Sequence, residues 1–300
     1  MSRLLVVLHV YYHDQIDYFI EKLANITDCE WDLIVTWPDE QEASMAKIRA
    51  FKPDASFITV DNAGYDVWPF IKVIQKTDFS KYDYVLKLHT KRYMTKTMKI
   101  EGLDMHRWYW RDALVDPILK TKERFSKCLS IMEYNAKVGY ICSYELHMDL
   151  KEMLKKDEKM LREEAKRISL GSFKGGRFCA GTMFLARLKG LEKLKEIEFT
   201  DDMWNFEAKS GISGTMAHAY ERLLCLIIRD AGYISRSLPS SKRRSSKVFY
   251  RRHVSPILKS VFSLERKHPD YYKYLTIMGV KINLSAIKPG RVKKDRGRRK

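Results

Sequence analysis

The stretch YDYVLKLHTKR at residues 82–92 decides the fold. It begins as an apolar run of strand length and ends in a cluster of cations around a histidine. Side chains alternate faces along a strand, so Lys87 and His89 face one way and the intervening leucines face the other. Lys91 joins that first face if the strand continues. A strand this apolar is predicted to lie inside a sheet rather than at its edge.

The segments before this stretch alternate between strand and helix patterns. A helix is indicated, for example, where Ile16, Phe19, Ile20 and Leu23 recur at helical spacing. Strands are predicted at residues 3–10, 31–36 and 55–60, and helices at 13–25, 40–51 and 67–76. Repeated strand–helix–strand units predict an α/β fold with a mostly parallel, Rossmann-type sheet and flanking helices. Ligands of such sheets bind at the carboxyl ends of the strands.

The segments after this stretch are more helical. Helices are predicted at 107–119, 122–134, 146–167 and 214–231, and strands at 138–142 and 178–186. The helix at 146–167 is rich in charges and is expected to be exposed. Beyond Ser235 the regular pattern ends. We therefore predict a main domain at residues 1–235 and a helical, partly amphipathic extension at residues 236–300.

The positive charge of the chain is concentrated in that extension. The formal net charge is +18, and residues 236–252 hold seven basic and no acidic residues. Residues 288–300 hold eight basic residues against Asp295 alone. Such a tail is expected to contact an anionic surface, and the apolar stripe around Ile257 and Leu258 favours a membrane. Packing of the stripe onto the main domain, or a solvated tail, is the alternative.

Composition excludes several protein classes. Forty-five per cent of the residues are hydrophobic and 12% are aromatic, which is typical of a folded chain. Five cysteines without a CxxC pair favour free thiols in a reducing compartment over a zinc site. The first apolar run is short, contains His9 and lacks a cleavage site, so it predicts a strand and not a signal peptide. We expect a cytoplasmic protein without a membrane-spanning helix.

The loop DNAGYD at residues 61–66 lies between a predicted strand and a predicted helix. Gly64 permits a backbone conformation or a close approach that a side chain would forbid. Asn62 and the amides of the turn can meet a phosphate or a hydroxyl group. Asp66 is expected either to cap the following helix or to bind a ligand, and both roles are compatible.

The cations after residue 86 suit a diphosphate. Lys and Arg side chains neutralise phosphate charge, and Lys87, His89, Lys91 and Arg92 cluster where a central strand ends. Thr90 lies among them. The alternative is a solvated run of charges beyond an edge strand.

Two later segments complete the candidate site. CAGTMFLAR at 179–187 has small residues, Gly181 and Thr182, before an apolar strand, which suits either a ligand pocket or simple core packing. In GTMAHAYERLL at 214–224, His218, Glu221 and Arg222 share one helix face. His218 or Glu221 is a candidate general base, and a structural hydrogen bond between them is the alternative.

Taken together, these strings resemble the rhamnan synthesis protein F family. The resemblance covers about residues 1 to 235 and rests on VDNAGYDVWPF, YDYVLKLHTKR, CAGTMFLAR and GTMAHAYERLL, which occur in the family's order. It implies a GT-A-like glycosyltransferase of bacterial cell-surface polysaccharide synthesis, acting at the cytoplasmic face of the membrane. The donor it implies is a nucleotide-sugar, dTDP-L-rhamnose, and the acceptor a growing lipid-linked glycan. The residues carried over from the family's motifs are Asn62, Gly64, Asp66, Lys87, His89, Thr90, Lys91, Gly181, Thr182, His218, Glu221 and Arg222.

The chain departs from many GT-A enzymes in one respect. It has no D-x-D motif, the usual metal-binding sequence at the end of the fourth strand, so we assign no metal ligands and leave metal dependence open. There is also no Walker A loop or GxGxxG fingerprint.

The mechanism we expect is an inverting transfer. Glu221, or alternatively Asp66 or His218, deprotonates an acceptor hydroxyl, while the cations at 87–92 neutralise the departing nucleoside diphosphate. Gly181, Thr182 and Arg222 are assigned to the acceptor or sugar pocket. Two other classes stay open. One is an inactive sugar-binding scaffold subunit, and the other is a basic nucleic-acid-binding protein, which the uneven charge and the missing RNA-binding signatures disfavour.

Overall fold

The computed structural model describes residues 1–100, 102–171, 175–204, 214–267, 272–277 and 280–283. The chain divides into two compact units, Met1–Ser245 and Ser246–Lys300. The main unit is mixed α/β, as predicted, with helices flanking a mostly parallel sheet.

Strands and helices alternate through the first part of the main unit. Its strands are β1 (Arg3–His9), β2 (Glu30–Trp37), β3 (Ser56–Thr59), β4 (Tyr84–His89), β5 (Met94–Ile100), β6 (Leu103–Arg107), β7 (Val138–Ser143), β8 (His147–Asp149), β9 (Arg177–Cys179), β10 (Phe184–Arg187) and β11 (Ile234–Leu238). Its helices are α1 (Ile16–Leu23), α2 (Glu42–Phe51), α3 (Val67–Lys76), α4 (Tyr109–Leu119), α5 (Lys122–Tyr134), α6 (Leu150–Arg167) and α7 (Met216–Asp230), and α8 (Lys242–Phe249) follows. Short 3₁₀ segments occupy His13–Gln15, Leu188–Lys195 and Asp201–Trp204.

Seven strands form the central sheet, in the order β11-β7-β10-β4-β1-β2-β3. All neighbours are parallel except β10, which is antiparallel to both β4 and β7. Every residue of β4 is buried, which confirms that the stretch at 82–92 supplies an interior strand. Its apolar residues stabilise the sheet because both faces are covered.

The helix predictions hold best where apolar periodicity is strong. α3 and α5 have the predicted bounds. α1 begins at Ile16, three residues later than predicted, because His13–Gln15 forms a 3₁₀ turn. The helix predicted at 146–167 begins only at Leu150. It is less exposed than predicted, since Leu161 and Ala165 are buried.

The single strand predicted at 178–186 is wrong. The segment contains two strands, β9, which pairs with β8, and β10, which lies in the central sheet. Between them Gly181 and Thr182 adopt φ values of +97° and +48°, so the chain turns there. The residues on both sides of this turn are apolar, and an apolar strand pattern does not indicate where φ becomes positive. The turn was therefore not predicted.

Two further elements lie outside the predicted pattern. β5 and β6 form a hairpin directly after β4, where no element was predicted. The sheet also continues past Ser235, because β11 runs to Leu238 and pairs in parallel with β7. The predicted end of the regular pattern at Ser235 is therefore too early.

A buried carboxylate fastens the segment after β11. Glu145 is fully buried behind β7. Its Oε1 accepts hydrogen bonds from the Ser240 amide at 3.0 Å and the Ser240 hydroxyl at 2.9 Å. The Ser143 hydroxyl donates to Oε2 at 3.2 Å. These donors replace the water that a carboxylate loses on burial.

The second unit is only partly helical. A π-helical turn, Tyr250–Val254, and α9 (Ser255–Val261) are followed by three antiparallel strands, β12 (Phe262–Lys267), β13 (Tyr272–Ile277) and β14 (Val280–Asn283). The helical extension predicted for residues 236–300 instead contains three strands after Val261. The basic stretch 288–300 lies outside the described residues. Over the described ranges, no helix is both long enough and apolar enough to cross a membrane.

Candidate functional site

The predicted motifs meet at the carboxyl edge of the central sheet. β1 and β4 end side by side there, with His9 in register with His89. The loop at 61–66 follows the parallel strand β3. β10 runs the opposite way beside β4, with Phe184 opposite Lys87, so the turn at Gly181 and Thr182 arrives at the same edge.

A buried cluster of Asp66, Lys87, His89 and Thr182 forms the base of this site. Lys87 is 1% exposed, and its ammonium group donates to the Asp66 carboxylate and to the Thr182 hydroxyl at 2.9 Å. The Thr182 hydroxyl donates to the same Asp66 oxygen. The charge of Lys87 is therefore balanced inside the protein, which leaves little of it for a ligand.

Asp66 is fixed as an anion in this cluster. It precedes α3 but makes no capping hydrogen bond with its side chain. Burial alone would raise the pKa of Asp66, but His89, Lys87 and Lys91 outweigh burial and hold the pKa well below its usual range. A carboxylate so stabilised accepts a proton poorly, so Asp66 is a weak candidate for the general base.

His89 is enclosed between two backbone carbonyl groups. The ring is 4% exposed, with Nε2 2.8 Å from the Gly181 carbonyl oxygen and Nδ1 3.1 Å from that of Thr90. Burial, reinforced by the neighbouring lysines, lowers the pKa of His89 to about 3 although Asp66 acts in the opposite direction. Through Nε2 the His89 ring holds the turn at Gly181.

Lys91 is held differently from Lys87. The buried Gln15 side chain brackets its backbone, donating to the Lys91 carbonyl at 2.8 Å and accepting from the Lys91 amide at 3.2 Å. The ammonium group lies 4.2 Å from the centroid of the Trp110 ring. No carboxylate in the described part of the chain lies within salt-bridge distance of Lys91, and the same holds for the exposed Arg92. Burial lowers the pKa of Lys91, as expected for a cation kept without an ion pair.

The two other candidate bases lie on the first turns of α7. The Gly181 amide donates to Glu221 Oε1 at 2.7 Å, while Oε2 receives no hydrogen bond from the described residues. His218 Nδ1 lies 2.7 Å from the hydroxyl of Thr215, the N-cap of α7. Glu221 and His218 each keep an atom that can accept a proton, so the geometry is compatible with either residue as the general base.

Three residues assigned to ligands are engaged within the protein. The Thr90 hydroxyl accepts from the amides of Tyr11 and Tyr12, both at 2.9 Å. Arg222 is 1% exposed and donates to the His218 carbonyl, so it stabilises α7 and presents no group to a sugar. The Thr182 hydroxyl is taken by the buried cluster.

Packing accounts for Gly64. Its φ is +66°, and a Cβ there would lie 2.5 Å from Trp68 Cβ and 2.8 Å from Trp204 Cε3. The two indoles stack at 4.8 Å between centroids. Gly64 is therefore required by close approach of these rings, whereas the exposed Asn62 remains open to a ligand.

A groove of about 660 Å³ opens beside the site, between α3 and the edge strand β3. It reaches the 61–66 loop at Asp61 and Asn62, and its lining includes Ile34, Ile58 and Lys76. Its volume is in the range of small-molecule pockets. The groove extends from Asn62 to Tyr82, two residues before β4 begins.

The segment that follows β4 is cationic, with Lys91 and Arg92 in succession. The described residues contain no group of three or more His, Cys, Asp or Glu side chains that could hold a metal ion. Lys91 follows β4 at this point, and its charge opposes a cation.

Comparison with known proteins fits this arrangement. The model of the family described as rhamnan synthesis protein F matches residues 1–233. The chain belongs to this family. The match confirms the resemblance carried by the four sequence strings, and it spans β1 to β4 and all of α7, which hold the candidate site.

Curated relatives extend well beyond this chain. The uncharacterized protein WxcX of Xanthomonas campestris pv. campestris strain B100 is 28% identical over 233 residues, which cover 76% of this chain and 32% of WxcX. WxcX from a second strain is 27% identical over the same shares. The chain thus spans about a third of the length of these relatives. A crystal structure of S. aureus TarS residues 1–349 is a distant structural likeness, with a TM-score of 0.40 and 10% identity over 75% of this chain and 55% of TarS.

Sequence reasoning missed three residues at the site. Gln15 holds the Lys91 backbone, Trp110 underlies the Lys91 ammonium group, and Tyr65 packs against His218. Gln15 left a trace in the sequence, as a polar residue directly before the apolar stripe of α1. The other two are aromatic residues in aromatic-rich surroundings and carry no such mark.

Proposed function

We propose that the Met1–Ser245 unit is a glycosyltransferase domain of polysaccharide synthesis with a GT-A-like arrangement. Four separate family motifs converge on one hydrogen-bonded network at the carboxyl edge of the sheet, and this observation carries the proposal. Among the described residues, Lys91 has no carboxylate within salt-bridge distance and Glu221 accepts a single hydrogen bond, from the Gly181 amide. A cation and a carboxylate at one edge are what transfer from a nucleotide-sugar requires.

The donor we propose is dTDP-L-rhamnose, and the acceptor is a lipid-linked glycan at the inner face of the cytoplasmic membrane. Family membership supports rhamnose as the sugar of the donor, since the description of the family concerns rhamnan synthesis. The basic, partly apolar segment after Ser245 supports contact with anionic lipid.

The transfer we propose inverts the anomeric carbon. Glu221, or His218 in its place, takes the proton of an acceptor hydroxyl, and that oxygen forms a bond to the anomeric carbon. The bond from this carbon to the diphosphate oxygen breaks, and the electron pair leaves with the nucleoside diphosphate. Lys91 and Arg92 neutralise the departing charge. Asp66, Lys87 and His89 hold the site in shape, a role that replaces the one their sequence positions predicted.

Thermal stabilisation by a panel of nucleotides and nucleotide-sugars tests the proposal. A ligand at about 100 times its dissociation constant adds roughly 2.7 kcal/mol to the free energy of unfolding. We expect a shift with dTDP and dTDP-L-rhamnose that survives chelation of divalent metals. Stabilisation by a different nucleotide-sugar would correct the donor. Absence of any shift would favour a sugar-binding scaffold, and salt-dependent RNA binding would favour the nucleic-acid class.

Turnover of the stabilising donor then identifies the base. Glu221→Gln keeps an oxygen for the Gly181 amide but cannot take a proton, so we expect a loss of about 10²–10⁴-fold in kcat if Glu221 is the base. The matched variant is His218→Gln. A large loss in that variant alone would assign the base to His218, and wild-type rates in both would remove the proposed mechanism.

A further inference from the structure

Tyr65 has an unusual backbone conformation at the edge of the site. Its φ is +51°, directly after Gly64 at +66°. Bulky side chains rarely occupy this left-handed region, and those that do are often found where a fold sacrifices stability for function. The position of the Tyr65 side chain should therefore explain why the fold keeps this strained backbone.

The Tyr65 ring reaches from the 61–66 loop to the first turn of α7. It lies edge-on against the His218 ring, with 5.8 Å between centroids and an interplanar angle of 74°. The residue is nevertheless 41% exposed. A ring that served packing alone would be expected to lie deeper, as Trp68 and Trp204 do at 4% and 0% exposed.

The exposed part of the ring is placed where an acceptor must approach. His218 touches Tyr65, and Glu221 follows His218 by about one helical turn. A hydroxyl that reaches either base therefore brings the rest of its sugar close to Tyr65. An aromatic side chain offers a sugar a large apolar face for its C–H groups and, in tyrosine, a polar hydroxyl as well.

We propose that Tyr65 determines acceptor specificity by packing against the pyranose ring that carries the attacking hydroxyl. This inference rests on the proposed glycosyltransferase function and names the acceptor side of the same site. Tyr65 adds affinity and orientation for the acceptor and leaves the donor and the proton transfer to other residues.

The test separates acceptor binding from donor binding. Asparagine tolerates the left-handed region better than tyrosine does, so Tyr65→Asn removes the ring and relieves the backbone. With dTDP-L-rhamnose as donor and octyl α-L-rhamnopyranoside as acceptor, we expect at least a tenfold rise in acceptor KM. The donor KM, the slow hydrolysis of donor without acceptor, and the melting temperature should stay near wild type. Tyr65→Phe keeps the ring and should stay within about twofold in acceptor KM.

The matched control is Tyr134→Asn, because Tyr134 is 93% exposed at the end of α5. An unchanged acceptor KM in Tyr65→Asn would overturn the inference, and so would a joint rise of both KM values with a lower melting temperature, which indicates a structural role. If the wild type turns over no donor, the proposed function fails independently of Tyr65. Saturation-transfer NMR with a panel of octyl glycosides then tests the ring directly, and contact with no member of the panel overturns the inference.

Discussion

Lys87 lies in β4 and Lys91 follows that strand by two residues, but the surroundings of their ammonium groups differ. Lys87 is buried in an ion pair with Asp66 and a hydrogen bond to Thr182, so its charge is balanced within the fold. Lys91 rests on Trp110 and has no carboxylate within salt-bridge distance among the described residues. The difference teaches that a cluster of cations in a sequence can combine an internal support with an open ligand site. The buried cluster carries the geometry, and the rim with Lys91 and Glu221 carries the proposed chemistry.

Replacing Lys87 tests most directly whether the buried cluster supports the fold. Lys87→Met leaves the Asp66 carboxylate buried without its main partner, so we expect a loss of about 3–5 kcal/mol in the free energy of unfolding. Urea denaturation followed by circular dichroism measures it. The double variant Lys87→Met/Asp66→Asn should recover part of the loss, because no uncompensated charge remains.

Lys47→Met serves as the matched control, because Lys47 pairs with Asp17 on the surface. Its cost should stay within about 0.5 kcal/mol. If Lys87→Met were as mild as this control, the cluster would not be an internal support.

Removing Lys91 should affect rate and leave stability nearly intact. Lys91→Met deprives the departing diphosphate of a nearby cation, and one such group is typically worth about 3 kcal/mol of barrier, or roughly a hundredfold in kcat. Steady-state turnover of the nucleotide-sugar measures the effect. Lys120→Met, at an exposed lysine directly after α4, is the control and should keep wild-type kcat. Equal losses in both variants would argue against a specific role for Lys91.

The pH dependence of the free energy of unfolding tests the buried side of the comparison. Burial lowers the pKa of His9 to about 4 and that of His89 to about 3, below the unfolded value of 6.5. Between about pH 4 and 6.5 the unfolded chain therefore binds more protons, so stability should rise with pH across this window. Each histidine contributes up to about 1.4 kcal/mol per pH unit.

Urea unfolding at a series of pH values tests this slope. His89→Gln should flatten it by about half, whereas His106→Gln, an exposed residue of the hairpin, should leave it unchanged. A slope of the opposite sign in the wild type would mean that the buried histidines are charged. Asp66 acts below this window, because its low pKa adds stability that is lost only as the pH falls below about 4.

Much of the fold followed from local patterns. The apolar run of β4 and the apolar stripe of α3 were placed correctly because buried positions require apolar residues. The strand predicted across Gly181 was not, since the break there depends on two φ angles that no periodicity records. The β5–β6 hairpin was not predicted because its exposed residues, such as Lys96 and Lys99, show no apolar alternation.

The sequence predicted which residues share a strand face, but it did not predict their long-range contacts. Spacing showed that Lys87 and His89 share a face, but it could not show that Asp66 and Thr182 lie against them. Those partners are 21 and 95 residues away from Lys87 along the chain. Whether a lysine is paired within the protein depends on such contacts, so the sequence could not distinguish Lys87 from Lys91.

The hydrogen bonds around Glu145 bear on where this protein can be divided. A chain cut after Ser235 would lose most of β11 and both Ser240 donors, and the Glu145 carboxylate would remain in an apolar interior without them. Fragments ending there should aggregate for that reason alone, whatever they catalyse. Expression trials, domain exchanges and fusions therefore need a boundary no earlier than Ser245, the last residue of the main unit.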